Sequence, residues 1–284
     1  MPVLVVLVLV ALLAAITAAI CRRWPHADPA ALTSRLVADG TVDREVTDDL
    51  GPEGVTILGL SAAALAVVAC TALFGVLFLV VRTRTGLAQL DLGPARWAAR
   101  QATSTSTSVL RVLTYLGSTS FALPLALVVG LVEARRRPNR SILVFLVLVE
   151  GGQLLLVNVV KVLVGRARPA IDQLAGVSSM SFPSGHSATA AATFAALAVL
   201  VGRGRGPTAR TALAVSAAGL TALVGATRVL LGVHWLTDVL AGIALGWGWL
   251  ALCSVAFGGR LLRFGAPLEP AATAAPPPAP TTRL

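Results

Sequence analysis

Residues 141–169 read SILVFLVLVEGGQLLLVNVVKVLVGRARP, an apolar run that ends in a cluster of basic residues. The part from 141 to 163 is almost entirely apolar, and about 20 such residues cross the hydrocarbon core of a bilayer as an α-helix. This stretch therefore predicts a transmembrane helix that carries Lys161 and two arginines to one membrane surface.

The same apolar character extends over most of the chain. Of its 284 residues, 56% are hydrophobic and 13% are charged, and the mean hydropathy is +0.83. A water-soluble globule of this length could not bury so much apolar surface, and three scattered Cys exclude a disulfide scaffold. We predict an all-α fold: a polytopic membrane helix bundle with a six-helix core and one extra N-terminal transmembrane helix. The seven predicted spans are residues 2–20, 55–81, 109–132, 141–163, 187–202, 211–227 and 239–258.

These spans divide the chain into three parts. Residues 1–54 are predicted to form an N-terminal transmembrane helix, which we expect to remain uncleaved, and a polar connection. Residues 55–264 are predicted to form the membrane core, in which the span 187–202 reaches a workable length if its helix begins near Ser184. Residues 265–284 are rich in Pro and Ala, so we expect a disordered tail.

The distribution of basic residues predicts the orientation of the core. The side predicted to face the cytoplasm holds 14 of the 23 Lys and Arg, and the other side holds 9. The cytoplasmic segments are 21–54, 133–140, 203–210 and 259–284. On the opposite side, residues 88–101 form either an interfacial helix with Trp97 at headgroup depth or a solvated loop.

Three polar clusters follow or precede spans at that same outer face. The first runs from Lys161 to Arg168 and Pro169, and the second is Phe-Pro-Ser-Gly-His at 182–186. The third contains Thr227, Arg228, His234 and Asp238. The only Lys and two of the three His of the chain therefore lie in one predicted layer at a membrane surface.

The residue types in these clusters are those of a phosphate site. Lys161, Arg168 and Arg228 supply fixed positive charge, and the planar arginine fork suits phosphate oxygens. Ser184 can cap the helix that follows it. The bare backbone of Gly185 allows an oxyanion to approach N–H groups at the positive end of that helix.

The same clusters also contain a candidate nucleophile. His234 and Asp238 are four residues apart, so on a helical turn the carboxylate can reach the imidazole and fix its tautomer. The other ring nitrogen is then free to attack phosphorus. His186 can protonate the leaving group, because its ordinary pKa range suits that role.

Taken together, the three clusters resemble the signature of the type 2 phosphatidic acid phosphatase (PAP2) superfamily of membrane lipid phosphatases. That signature is Lys, six residues and Arg-Pro, then Pro-Ser-Gly-His, then Ser-Arg, five residues, His, three residues and Asp. Only Thr227 departs from it, and a hydroxyl is retained there. The resemblance covers residues 55–258.

The resemblance implies a role for each motif residue. His234 forms a phosphohistidine and is oriented by Asp238, while His186 is the acid and then assists water. The phosphate-binding residues are Lys161, Arg168, Ser184, Gly185 and Arg228. No metal and no cofactor is implied, and the active site lies on the extracytoplasmic face of a plasma membrane, which the composition suggests is bacterial.

The expected partner is a lipid phosphate in the membrane, with no role for nucleic acid, and the oligomeric state stays open. Undecaprenyl diphosphate ranks first among the substrates, before phosphatidylglycerol phosphate and phosphatidic acid, because that carrier is recycled outside the cell. The alternatives are a lipid phosphotransferase, a non-hydrolytic lipid transporter, and a structural membrane protein with decayed motifs.

Two charged residues at positions that no motif specifies also need an interpretation. Glu150 lies in the middle of a predicted span, where a carboxylate is costly, so we expect it to be hydrogen-bonded inside the bundle to Ser118 or Ser120. A role in a proton path is the other possibility. Arg166 is interpreted as an ordinary membrane-surface anchor.

Overall fold

The computed structural model describes residues 44–83, 91–136, 141–169, 179–203 and 205–256, which form eight α-helices and no β-strand. In chain order these are α1 (Arg44–Thr83), α2 (Leu92–Gln101), α3 (Ser104–Thr114), α4 (Thr119–Arg136), α5 (Ser141–Val164), α6 (Gly185–Gly202), α7 (Pro207–Leu230) and α8 (Leu236–Ala256). The predicted first span, 2–20, lies outside the described residues, as does the tail 265–284.

Five of these helices are long and apolar enough to cross a membrane. The spans are Ala63–Thr83, Ile142–Val164, Gly185–Gly202, Thr208–Leu230 and Leu236–Val255. The segments Ser104–Gly117 and Thr119–Arg136 pass the same test as a pair, bent by 46°, which gives up to six spans. The prediction of an all-α membrane bundle is therefore confirmed. Helix α6 begins directly after Ser184, which gives the predicted span 187–202 the extra length it needed.

Two predicted boundaries differ from the structure. The run 109–132 is not one straight helix, because the chain turns through a short 3₁₀ segment, Tyr115–Gly117. Gly117 fits closely there, since a Cβ on it would lie 2.4 Å from Val224 and 2.8 Å from the carbonyl oxygen of His186. At the other end of the core, α1 begins at Arg44, so it extends past the predicted boundary between residues 54 and 55.

The structure describes the segment 88–101 from residue 91 onward, and most of that part is the helix α2. Residues 92–101 are helical, so a fully non-helical loop is wrong for that part. Ala95 and Ala98 are buried while Trp97 is 53% exposed, which is the pattern of a helix that lies along a surface.

Helices α6 and α8 form the centre of the bundle, and small residues bring their backbones together. A Cβ on Gly242 would lie 2.5 Å from the carbonyl oxygen of Ser184, and one on Gly246 would lie 2.5 Å from that of Ala188. Since lipid tails are as apolar as the side chains, close backbone packing of this kind drives helix association in membranes.

Gly246→Ala is expected to destabilise the fold, because the added methyl group meets a backbone oxygen that cannot rotate away. Overpacking of this kind costs about 1–3 kcal/mol. Thermal unfolding in detergent should show a lower midpoint for this variant. Gly219→Ala is the matched control, since Gly219 lies in α7 with nothing within 4 Å of its Cβ position. An unchanged midpoint for Gly246→Ala would contradict the close packing of α6 on α8.

The buried polar residues of α5 are arranged differently from the expectation. Gln153 donates from Nε2 to Thr189 Oγ1 at 3.0 Å, which satisfies one polar group inside the bundle. Glu150 is buried, but the expected bond to Ser118 or Ser120 is wrong: those two hydroxyls lie 3.1 Å from each other, and that of Ser118 also donates to Tyr115 O. A side-chain neighbour of Glu150 is instead the hydroxyl of Thr193 in α6.

Candidate active site

The three motifs meet at one end of the bundle, where α5 ends and α6 and α8 begin. Gly165 ends α5 with a φ of 62°, a left-handed conformation that favours glycine and turns the chain toward Arg168. Gly232 has a φ of 66° in the turn between α7 and α8. That turn carries His234. These glycines allow both loops to fold back over the helix ends.

His234 is 2% exposed, and its two ring nitrogens face groups of opposite charge. Nε2 lies 3.1 Å from Nη1 of Arg168. A guanidinium can only donate, so Nε2 must be the acceptor and Nδ1 must carry the proton. Nδ1 lies 3.5 Å from Oδ2 of Asp238. This distance is longer than a formed hydrogen bond, and such contacts in empty active sites tighten when substrate binds.

The surroundings of His234 keep its imidazole neutral. Burial lowers the pKa of His234 to about 4, and the charges of Arg168 and Arg228 act in the same direction, while Asp238 opposes them. Above that pKa the ring carries no charge, so the lone pair on Nε2 is available at neutral pH. The spacing of His234 and Asp238 brings them together as predicted, although His234 lies in the turn before α8 rather than on the helix.

Arg168 is fixed by several backbone and side-chain acceptors. Nη1 donates to Val233 O at 2.5 Å, and Nε donates to Ser179 O at 2.6 Å. Nη2 donates to Ser179 Oγ at 2.9 Å. Burial lowers the pKa of the Arg168 guanidinium from its usual value, but Asp238 opposes this shift. The side chain is therefore a preorganised cation directly beside His234 Nε2.

The other two predicted cations lie around the same space. Lys161 Nζ is 3.7 Å from the position that a Cβ on Gly185 would occupy, so the ammonium group lies over the start of α6. Arg228 is 4% exposed and donates from Nη1 to Thr114 Oγ1 at 2.9 Å. Its Nε has no hydrogen-bond partner among the described residues. Both side chains thus retain donors that could serve an anion.

The start of α6 supplies the remaining motif residues. Ser184 is fully buried and caps this helix, because its Oγ accepts from the backbone N–H of Ser187 at 3.4 Å. This cap was predicted. His186 is the second residue of α6 and interacts electrostatically with His234, Lys161, Arg168 and Arg228. Thr227 donates its hydroxyl hydrogen to Val224 O in its own helix, at 2.6 Å.

Two residues that sequence reasoning did not place in the site belong to the hydrogen-bond network that holds Asp238. Arg166 donates from Nη1 to Asp238 Oδ1 at 2.5 Å and from Nη2 to Asp91 Oδ2 at 2.8 Å. Its interpretation as a surface anchor is therefore wrong. Asp91 had a weak signal in the sequence, since it is the only acidic residue between Glu53 and Glu133. Asp238 Oδ2 also accepts from the Ser181 hydroxyl and from the backbone N–H of Trp235.

The described residues contain no group of three or more His, Cys, Asp and Glu side chains that could hold a metal ion. The site is instead a set of cations around two imidazoles. Such a set can bind phosphate oxygens and stabilise the charge that develops on them during phosphoryl transfer.

Comparison with known proteins identifies relatives of this chain. Residues 141–261 match the model of the PAP2 superfamily. The chain is 41% identical over 140 residues to phosphatidylglycerophosphatase B of Bacillus subtilis. This match covers 49% of this chain and 68% of that protein. It is 40% identical over 108 residues to the lipid A 1-phosphatase of Rhizobium etli. This second match covers 34% of this chain and 42% of that protein.

A solved structure supports the same relationship. The crystal structure of a transmembrane PAP2-type phosphatidylglycerolphosphate phosphatase from Bacillus subtilis superposes with a TM-score of 0.62 at 32% sequence identity. The superposition covers 66% of this chain and 93% of that one. The fold and these likenesses define a membrane phosphatase, an enzyme that hydrolyses phosphoric esters. The chain belongs to the PAP2 superfamily, as its three motifs indicated.

Proposed function

We propose that this protein hydrolyses a phosphate or diphosphate monoester of a membrane lipid through a phosphohistidine on His234. The observation that carries the proposal is the pair of contacts made by that imidazole. Nε2 faces Arg168, which marks it as the unprotonated nitrogen, and Nδ1 faces Asp238. A neutral ring whose lone pair faces a guanidinium is suited to attack a phosphorus centre whose oxygens that cation binds.

In the first step His234 Nε2 attacks phosphorus, and the bond between phosphorus and the lipid oxygen breaks. His186 donates a proton to that oxygen, so the lipid leaves as an alcohol, or as a phosphate if the substrate is a diphosphate. Lys161, Arg168 and Arg228 bind the transferred group, together with N–H groups at the start of α6. Asp238 balances the positive charge that forms on the phosphorylated imidazole.

In the second step water attacks the same phosphorus atom, and the bond between phosphorus and Nε2 breaks. His186, now neutral, accepts the proton from water and returns to its initial state. The net reaction consumes one water molecule and releases inorganic phosphate together with the lipid alcohol, or with the lipid monophosphate when the substrate is a diphosphate. The proposed mechanism uses no metal, since the three cations take the charge-stabilising role.

The substrate we favour is a glycerophospholipid phosphate such as phosphatidylglycerophosphate. This choice is supported by the relative with 41% identity, whose name specifies that activity. Undecaprenyl diphosphate remains a candidate from its expected location outside the cell, and the lipid A relative adds a third lipid class. We propose that the site opens at the extracytoplasmic face of the plasma membrane, following the distribution of basic residues.

The experiment is a phosphate-release assay on the purified protein in detergent, with phosphatidylglycerophosphate, undecaprenyl diphosphate, phosphatidic acid and lipid A as substrates. EDTA is present throughout, and we expect its addition to leave kcat unchanged. Vanadate should compete with substrate, because it mimics five-coordinate phosphorus. A requirement for a divalent cation would contradict the proposed mechanism, and no release from any of the four lipids would overturn the hydrolase proposal.

A further inference from the structure

Arg166 bridges two carboxylates that come from distant parts of the chain. Its Nη1 is 2.5 Å from Oδ1 of Asp238, and its Nη2 is 2.8 Å from Oδ2 of Asp91. The relative exposure of the three side chains is 14% for Arg166, 2% for Asp91 and 0% for Asp238. At this burial the planar fork of the guanidinium fixes both carboxylates in direction as well as in distance.

Asp91 is tied to the beginning of α8, the helix that carries Asp238. Its Oδ1 accepts from the backbone N–H of Thr237 at 2.9 Å, and its Oδ2 accepts from the Thr237 hydroxyl at 2.7 Å. The first N–H groups of a helix have no partner within it, and the helix dipole favours negative charge there. Asp91 therefore caps α8 from outside and fixes the first turn of that helix.

Arg166 is itself held on its other sides. Its guanidinium lies over the ring of Trp235, with Cζ 5.4 Å from the ring centroid, and its Nη1 also donates to Thr237 Oγ1 at 2.7 Å. Trp235 in turn donates from Nε1 to Ala167 O at 3.1 Å. The loop after α5 and the turn before α8 are thus joined around one buried cation.

We propose that Asp91 and Arg166 are positioning residues that orient Asp238 toward His234, a proposal that rests on the proposed function above. With Oδ1 held by Arg166, the carboxylate of Asp238 has only Oδ2 left to face the imidazole. Without this contact the carboxylate is held only through Oδ2, by the Ser181 hydroxyl and the Trp235 N–H, so its orientation is less fixed. Neither residue occupies a specified position of the three motifs, although Arg166 lies between Lys161 and Arg168 of the first one.

Asp91→Asn and Arg166→Gln should each lower kcat on the order of 10- to 100-fold, by analogy with the loss of a hydrogen-bond partner that orients a metal-ligating side chain. KM should change little, because the phosphate-binding cations are untouched. The double variant should be no slower than the slower single variant, since both substitutions break one chain of contacts. Arg166→Lys keeps the charge but not the fork, so it should recover only part of kcat.

The pH dependence of kcat/KM separates positioning from a general loss of structure. Asp91→Asn removes a negative charge that favours the imidazolium of His234, so the acid limb of the kcat/KM profile should move to lower pH. Removing the positive charge of Arg166 should move it to higher pH. The other charged or titratable groups around His234 are unchanged in both variants: Asp238 of α8, Arg228 of α7, His186 of α6, Lys161 of α5 and Arg168 after α5. The substrate's own ionisation is common to all variants.

Glu133→Gln is the matched control, because it also removes a buried carboxylate from an arginine. Glu133 lies 3.7 Å from Arg203, with side-chain exposures of 8% and 6%, at the opposite end of the bundle. Only variants with the same unfolding midpoint as this control enter the comparison. If Arg166→Gln unfolds, Asp91→Asn and Arg166→Lys carry the test.

Two results would overturn the inference while leaving the proposed function intact. In the first, the wild type is active and the His234 variant is inactive, but the Asp91 and Arg166 variants have the same kcat as Glu133→Gln. In the second, the acid limb of kcat/KM moves in the same direction in Asp91→Asn and in Arg166→Gln. A wild type that releases no phosphate from any lipid would instead defeat the proposed function, and the positioning roles with it.

Discussion

Replacing His234 with glutamine is expected to abolish phosphate release, with a fall in kcat of at least about 10⁴-fold. Loss of the nucleophile in enzymes with a covalent intermediate has effects of this size, because only binding and charge stabilisation remain. Glutamine retains much of the volume at a position that is 2% exposed, so the packing around Arg168 and Asp238 should be preserved. The measurement is single-turnover release of phosphate from a ³²P-labelled lipid.

A trapping experiment distinguishes the nucleophile from the acid. An aryl phosphate with a good leaving group needs no proton from His186, so His186→Gln should still form the phosphoenzyme. It should then hydrolyse that intermediate slowly, because the base for water is missing. Acid-labile and alkali-stable label should accumulate on His186→Gln and be absent from His234→Gln. The third histidine, His26, belongs to no motif, and His26→Gln is the matched control. Label on the His234 variant would exclude this residue as the nucleophile.

The sequence was sufficient to predict those features that depend only on residues close together in the chain. An apolar run has to become a helix in a bilayer, so the span 141–163 could be predicted almost residue by residue. Ser184 could be placed at a helix start because a short polar side chain before an apolar run acts as a cap. The pair of His234 and Asp238 was visible from its spacing, since four residues keep two side chains close in either a turn or a helix.

The parts that the sequence did not predict depend on contacts between distant segments. Asp91 and Arg166 are 75 residues apart, and no local pattern indicates that one buried guanidinium joins them. The bend at Gly117 has the same origin, because it follows from packing against Val224 and the backbone of His186. In both cases an ordinary local feature, a loop arginine or a glycine in an apolar run, acquires its role only in the folded bundle.

Asp238→Asn should cause the second large loss, a fall in kcat of about 10³- to 10⁴-fold with little change in KM. The carboxylate accepts from Arg166, from the Ser181 hydroxyl and from Trp235 N, and its Oδ2 faces His234 Nδ1. An amide has one acceptor oxygen and a donor NH₂ group. If its oxygen faces Arg166, the NH₂ group donates to Nδ1 and moves the imidazole proton to Nε2, so the nucleophilic lone pair is lost. If the amide is reversed, its NH₂ group opposes the guanidinium of Arg166.

The first orientation removes the nucleophilic lone pair, and the reversed one keeps the tautomer but places two donors, the amide NH₂ group and the Arg166 guanidinium, against each other. Neither orientation removes the phosphate-binding cations, and a wrong tautomer alone can cost about 10⁴-fold in kcat. Inhibition by inorganic phosphate should therefore remain within a few-fold of wild type while turnover collapses, and the phosphoenzyme should not accumulate. Glu133→Gln again provides the matched substitution of a buried carboxylate by its amide. A kcat within about tenfold of wild type would mean that Asp238 does not hold the tautomer. His234 would then have to be oriented by Arg168 alone, through its 3.1 Å contact with Nε2.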